Sequence, residues 1–149
     1  MRQLQALLAA RFNALSASRQ GTVFFIEHGL AAEDLSELRA SVRERLERQP
    51  LESEWWDSCE LPLLVAATEE GYRYRGAGTD FWPLLENELG LPITPFGRQR
   101  IKDLFVNATT RFRGARPPST PWAEAFHLIA WPIAHALLPV GEGHSARWR

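Results

Sequence analysis

The stretch Thr120-Pro121-Trp122-Ala123-Glu124-Ala125-Phe126-His127-Leu128-Ile129-Ala130-Trp131-Pro132-Ile133-Ala134-His135-Ala136-Leu137-Leu138-Pro139 decides the fold class of this chain. It gathers two of six tryptophans, three of ten prolines and two of four histidines into a nearly uncharged run. Read as a buried helix broken or bent once, it has to lie at the centre of a core or against another protein surface. Pro132 either kinks this helix or stands at N1 of a new one, because an interior proline loses a hydrogen bond and costs ~3 kcal/mol. The expectation is an all-α fold of about six or seven helices, an irregular helical bundle or the start of an α-solenoid, with the Trp122 to Leu138 segment central.

Upstream segments agree in character. Leu4, Leu7, Leu8, Phe12 and Leu15 keep the i, i+3, i+4 rhythm of an amphipathic helix over about Arg2 to Ala17. Val23-Phe24-Phe25-Ile26 is too short to show a period and fits a strand or one helical turn; Glu27-His28-Gly29 favours helix, since glycine ends one cheaply. Leu35, Leu38, Val42 and Leu46 mark a second amphipathic helix, closed by Gln49-Pro50. Pro62 in a first turn and Gly71 at C′ predict a short buried helix over Pro62 to Glu70, followed by a loop over Tyr72 to Gly78. Asp80 caps the next helix, with Pro83 in its first turn and Gly90 at its end. Thr94-Pro95 opens a longer one whose Ile101, Leu104, Phe105, Ala108 and Phe112 share a face and which Gly114 ends. Thr120-Pro121 repeats that start signal 26 positions later, a hint of stacked helical units. Residues 1–139 read as a single helical domain, and residues 140–149 as a disordered or scar-like tail.

With 149 residues the chain is long enough to bury roughly two thirds of the surface its unfolded form exposes. A single cysteine, Cys59, excludes an intrachain disulfide. No apolar stretch reaches the ~18 uninterrupted residues of a membrane span, and the basic start followed by an apolar run that marks a secretory signal is missing. A cytoplasmic protein with no membrane partner is expected. Net charge is −1, but residues 1–70 hold seven arginines against twelve acids while residues 71–149 hold ten basic residues against six acids. The halves attract in principle.

Four constellations could carry chemistry. Glu124 and His127 form an E-x-x-H pair, the spacing of di-metal carboxylate bundles, but the second pair and the extra glutamates such a site needs are missing. His127 and His135 lie two helical turns apart, ~12 Å, too far to share an ion, and read as hydrogen-bonded core histidines. Trp55-Trp56 lies in the stretch 51–70, which has six acids and no base; adjacent residues on a helix point about 100° apart, so one indole faces outward as a protein-docking residue. Arg98, Arg100, Lys102, Arg111, Arg113 and Arg116 cluster around the Thr94 to Phe112 helix, and Arg73 and Arg75 interleave with Tyr72 and Tyr74. Such residues can combine phosphate contacts with base stacking, or form a solvated face paired with the acidic stretch.

Other signals count for structure or for nothing. Trp82, Trp122, Phe126, Trp131 and Pro132 read as packing anchors. Cys59 lies among Asp57, Ser58 and Glu60, negative neighbours that oppose a thiolate nucleophile. Gly76-Ala77-Gly78 lacks the remaining residues of a dinucleotide or phosphate loop, and Asn107-Ala108-Thr109 matches a glycosylation sequon by chance. No cofactor is expected.

The order Trp122-x3-Phe126 and Trp131 to Pro139, preceded by Gly71-Tyr72-Arg73-Tyr74 and Phe81-Trp82-Pro83, resembles the N-terminal region of large uncharacterised bacterial proteins of the kind found in phage-defence gene clusters. The likeness runs from about residue 23 to 139 and implies the leading helical part of a longer protein, a scaffold or recognition module whose effector chemistry lies elsewhere. The reading is a non-catalytic interaction module, partnered by another protein or the rest of a longer chain. Its rivals are a nucleic-acid-binding domain using Arg73, Arg75, Arg98, Arg100, Lys102, Arg111 and Arg113, and a metal-dependent hydrolase around Glu124 and His127.

Overall fold

A computed structural model of the chain describes residues 1–19, 22–74, 81–117 and 128–137. Six helices fall within them: α1 (Arg2–Ser18), α2 (Ala32–Arg48), α3 (Leu61–Arg73), α4 (Phe81–Leu89), α5 (Pro95–Phe112) and α6 (Ala130–His135). Short 3-10 turns occupy Phe25–Glu27 and Glu54–Asp57. The all-α expectation holds, and the arrangement is bundle-like.

Its axis is α3. Leu61, Pro62, Leu63, Leu64, Val65, Ala66, Ala67 and Thr68 are all buried in succession. A helix apolar on every side has to be covered on every side, and α3 packs against α1, α2, α4, α5, α6 and the first 3-10 turn. Of the segment Trp122 to Leu138, expected to be central, the described residues 128–137 supply α6, which is laid on α3. Residues 118–127, with the Thr120-Pro121 start, Trp122 and Phe126, lie outside the described residues.

Gly71 shows how close α6 comes. It does not end α3, which continues to Arg73; a Cβ at position 71 would stand 2.7 Å from the Pro132 carbonyl oxygen. The glycine is there for backbone approach, and the predicted helix end at Glu70 falls short. Pro132 itself lies in the first turn of α6, where no intrahelical N–H bond is forfeited. Gly90 does close α4 as expected, at φ +75° with its N–H on the Glu86 carbonyl at 2.8 Å. Asp80 and Gly76 to Gly78 lie outside the described residues.

Helix α5 follows its sequence signal. Thr94 Oγ1 accepts from the Gly97 N–H at 3.0 Å, Pro95 takes the first position, and Ile101, Leu104, Phe105, Ala108 and Phe112 are buried. Its end differs: Arg113, at φ 56° and ψ 46°, supplies the left-handed residue, and Gly114 instead forms an isolated parallel β-bridge with Val23. The Val23 N–H donates to the Arg113 carbonyl and the Ala115 N–H to the Val23 carbonyl, both at 2.9 Å. The segment around Val23 is therefore partly extended and partly a 3-10 turn, and Gly29 follows that turn at φ +75°.

Candidate functional site

Four places concentrate polar or exposed groups. The first is His135, at the end of α6. Its ring stacks on Phe25 at 4.0 Å between centroids and on Phe105 at 5.4 Å, with no exposed surface. Nδ1 accepts from the Phe25 N–H at 3.2 Å, so Nε2 carries the proton and donates to Thr109 Oγ1 at 3.1 Å. Burial pushes the imidazole down to about 3, so the ring is neutral. With both nitrogens committed and no access, His135 joins three segments and does no chemistry, as its sequence reading anticipated.

A second cluster lies between α2, α3 and α4. The Leu30 N–H donates to His28 Nδ1 at 2.9 Å, leaving Nε2 to donate to Glu69 Oε2 at 3.0 Å. Arg39 lies 4.0 Å from Glu69 and 3.8 Å from Glu88, and Arg73 reaches both Glu70 at 3.1 Å and Glu88 at 3.2 Å. Burial raises the Glu70 carboxyl; Arg73 lowers it and Glu88 raises it further. Charge alternates along Glu69–Arg39–Glu88–Arg73–Glu70, with His28 hydrogen-bonded to Glu69 at one end, so the cluster ties helices together by compensation. Its members come from four segments far apart in sequence, and no local motif announces them.

The third place is the acidic stretch with its tryptophans. Trp56 has no exposed surface, and its Nε1–H donates to the Gln49 carbonyl at 3.0 Å. It is a core residue, which corrects its reading as a docking residue. Trp55 stands edge-on to Trp56 at 4.9 Å and is half-buried, with the Arg45 guanidinium 4.6 Å over its ring. The 3-10 turn, not an α-helix, sets these directions.

Opposite lies the basic side of α5. Arg100 pairs with Asp57 at 3.0 Å and donates to the Leu51 and Ser53 carbonyls at 2.9 and 3.1 Å. Arg111 meets Glu60 at 2.6 Å. Burial raises the Glu60 carboxyl, and Arg111 lowers it in part. Arg98 lies 5.3 Å over the Trp82 ring and donates to the Ile93 carbonyl at 3.3 Å. So Arg73, Arg98, Arg100 and Arg111 are engaged inside the molecule, as a face paired with the acidic stretch requires, while Arg75 lies outside the described residues. Lys102 is half-buried, and Arg113 and Arg116 are exposed.

Of the remaining candidates, Glu124 and His127 lie outside the described residues, as does the tail 140–149. Among the described residues no group of three His, Cys, Asp or Glu is placed to hold a metal. Cys59 is buried with a free thiol. Trp82 and Pro132 are buried and Trp131 packs half-buried against the core, as anchors should. No described helix is long and apolar enough to cross a membrane.

The fourth place was not foreseen. Leu7, assigned to the buried face of α1, is 54% exposed and lines an open groove of about 390 Å³ between α1 and α2. Met1, Leu4, Leu30 and Leu38 supply its apolar wall, and Asp34 and Glu37 its acidic rim. Helix α1 carries five large apolar residues on one stripe, yet only Leu8 and Phe12 are fully buried. Comparison with protein-family models, with curated proteins and with solved structures gave no match for this chain.

Proposed function

We propose that this protein is a non-catalytic interaction module that receives a helical segment of a partner protein in the groove between α1 and α2. The observation that carries the reading is an open groove, half apolar and half polar, with Asp34 and Glu37 on its rim, in a molecule whose described histidines are hydrogen-bonded internally and whose buried Glu60 and Glu70 are each paired with an arginine. A helix laid in a groove buries apolar anchors at i, i+3 or i+4 spacing. Asp34 and Glu37 favour a ligand helix with lysine or arginine beside those anchors, and the Met1 ammonium is the cationic group among the lining residues.

The test is a photo-crosslinking residue at Leu7 in cells of the native host, beside the same residue at Asn107, which is exposed on α5. The expected result is one protein captured at position 7 and not at 107, its yield reduced by Asp34→Lys with Glu37→Lys. Capture that is equal at the two positions, or unaffected by the charge reversal, would overturn the reading.

A further inference from the structure

Arg113 is the non-glycine residue found at positive φ among the described residues. A left-handed conformation costs a side-chain-bearing residue more than glycine, and a helix end of this kind usually carries glycine or asparagine. Here an arginine takes the strained position. Among the described residues the Arg113 guanidinium makes no hydrogen bond or ion pair that would offset that cost. Residues held in sparsely populated backbone regions tend to serve a ligand or a switch.

Two shallow recesses flank it. One, of about 530 Å³, is lined by Thr22, Thr109, Thr110, Arg113, Gly114 and Arg116. The other, of about 510 Å³, is lined by Asn13, Ser16, Ala17, Ser18, Arg19 and Arg113. Among the described residues no carboxylate lines either recess. The nearby Glu27 carboxylate is held by Arg19 through two 2.8 Å hydrogen bonds. Two carbonyls at this end of α5 are occupied: Thr109 O accepts from the Arg113 and Gly114 N–H groups, and Arg113 O from Val23. A tetrahedral anion there meets guanidinium forks and the Thr22 hydroxyl, and arginine suits phosphate oxygens because its planar fork matches them in pairs.

We infer that Arg113 and Arg116, with Thr22, form a binding site for a single phosphate group, carried by a free phosphate or a small phosphorylated molecule. The site lies beyond the far end of α1 from the partner groove, whose lining on that helix is ~18 Å from that of the recess beside Arg113 at 1.5 Å per residue, and does not depend on what occupies that groove.

Thermal unfolding and ¹H–¹⁵N spectra of the arginine Nε–H groups, with millimolar inorganic phosphate and separately with a nucleoside monophosphate, test it. Either ligand should raise Tm and shift the Nε–H signals of Arg113 and Arg116. Arg113→Gly should match or exceed the parent Tm in phosphate-free buffer, because it relieves the left-handed strain, yet bind at least about tenfold more weakly. Arg116→Ala should lose affinity with Tm unchanged. Equal affinity for the two ligands places recognition in the phosphate alone; tighter nucleotide binding shows that the recess also holds the organic part. Arg113→Gly that melts lower and binds as well as the parent would show the arginine to be structural. Response to a nucleic-acid duplex alone, or to no phosphate at all, would equally overturn the site.

Discussion

Helices α1 and α3 are neighbours of opposite kinds. In α3 the run from Leu61 to Thr68 is buried on every side, and even Gly71 has a carbonyl where its side chain would begin. In α1, a helix of 17 residues, only Leu8 and Phe12 are fully buried, and the proposed partner groove and one of the two recesses beside Arg113 lie at its ends. The difference separates two tasks. Cohesion is concentrated in an inner helix whose every contact is used, which leaves the outer one free to spend apolar and polar groups on other molecules.

Substitutions sharpen that contrast. Leu64→Ala in α3 should cost most, about 3–4 kcal/mol in denaturant unfolding, because the tightly covered site cannot collapse around the lost volume. Next comes acid. His135 folds neutral with its pKa near 3 and unfolds near 6.5, so the unfolded state binds the extra proton. Stability present above pH 6.5 should fall by roughly 1.4 kcal/mol per pH unit on the way to about pH 3. His135→Phe should flatten this slope, at some cost at neutral pH from the unpaired Phe25 N–H. Glu60 and Glu70 act with the opposite sign, since their raised carboxyls take up protons more readily folded than unfolded.

Gly71→Ala should follow at about 2 kcal/mol, the clash with Pro132 outweighing the better helix propensity of alanine. Arg111→Ala should cost about 1 kcal/mol near neutrality, modest because Arg111 is half exposed, and less as acid neutralises Glu60. Leu7→Ala on α1 should stay within about 0.5 kcal/mol. A large loss at Leu7, or none at Leu64, would erase the distinction between the two helices.

What the sequence disclosed divides along the same line. Periodicity with a cap and proline located α5 from its first residue, and the apolar stripe located α1 and α2. These are local signals, and local chemistry sets them. Gly71 was misplaced because a glycine that ends a helix and one that admits a neighbouring backbone look alike until the neighbour is known. That one indole of Trp55-Trp56 faces outward is legible in the spacing, but not which one: the 3-10 turn and the Gln49 carbonyl direct Trp56 inward. His135 was legible as a satisfied core residue, although its partners Phe25 and Thr109 were not. The pairing of the α5 arginines with the acidic stretch followed from charge asymmetry alone. The open groove and the left-handed Arg113 were hidden, since both depend on how much of a helix its neighbours happen to cover.

The Phe25–His135 hydrogen bond spans 110 residues of chain, and the Val23–Gly114 bridge lies beside it. During synthesis the early helices emerge long before either clasp has its second half. Until α6 has left the ribosome, Phe25 has neither the imidazole that covers its ring nor an acceptor for its amide. Closure of this part of the core is thus timed by translation of α6, and a nascent chain stalled before it would expose an aromatic surface to chaperones.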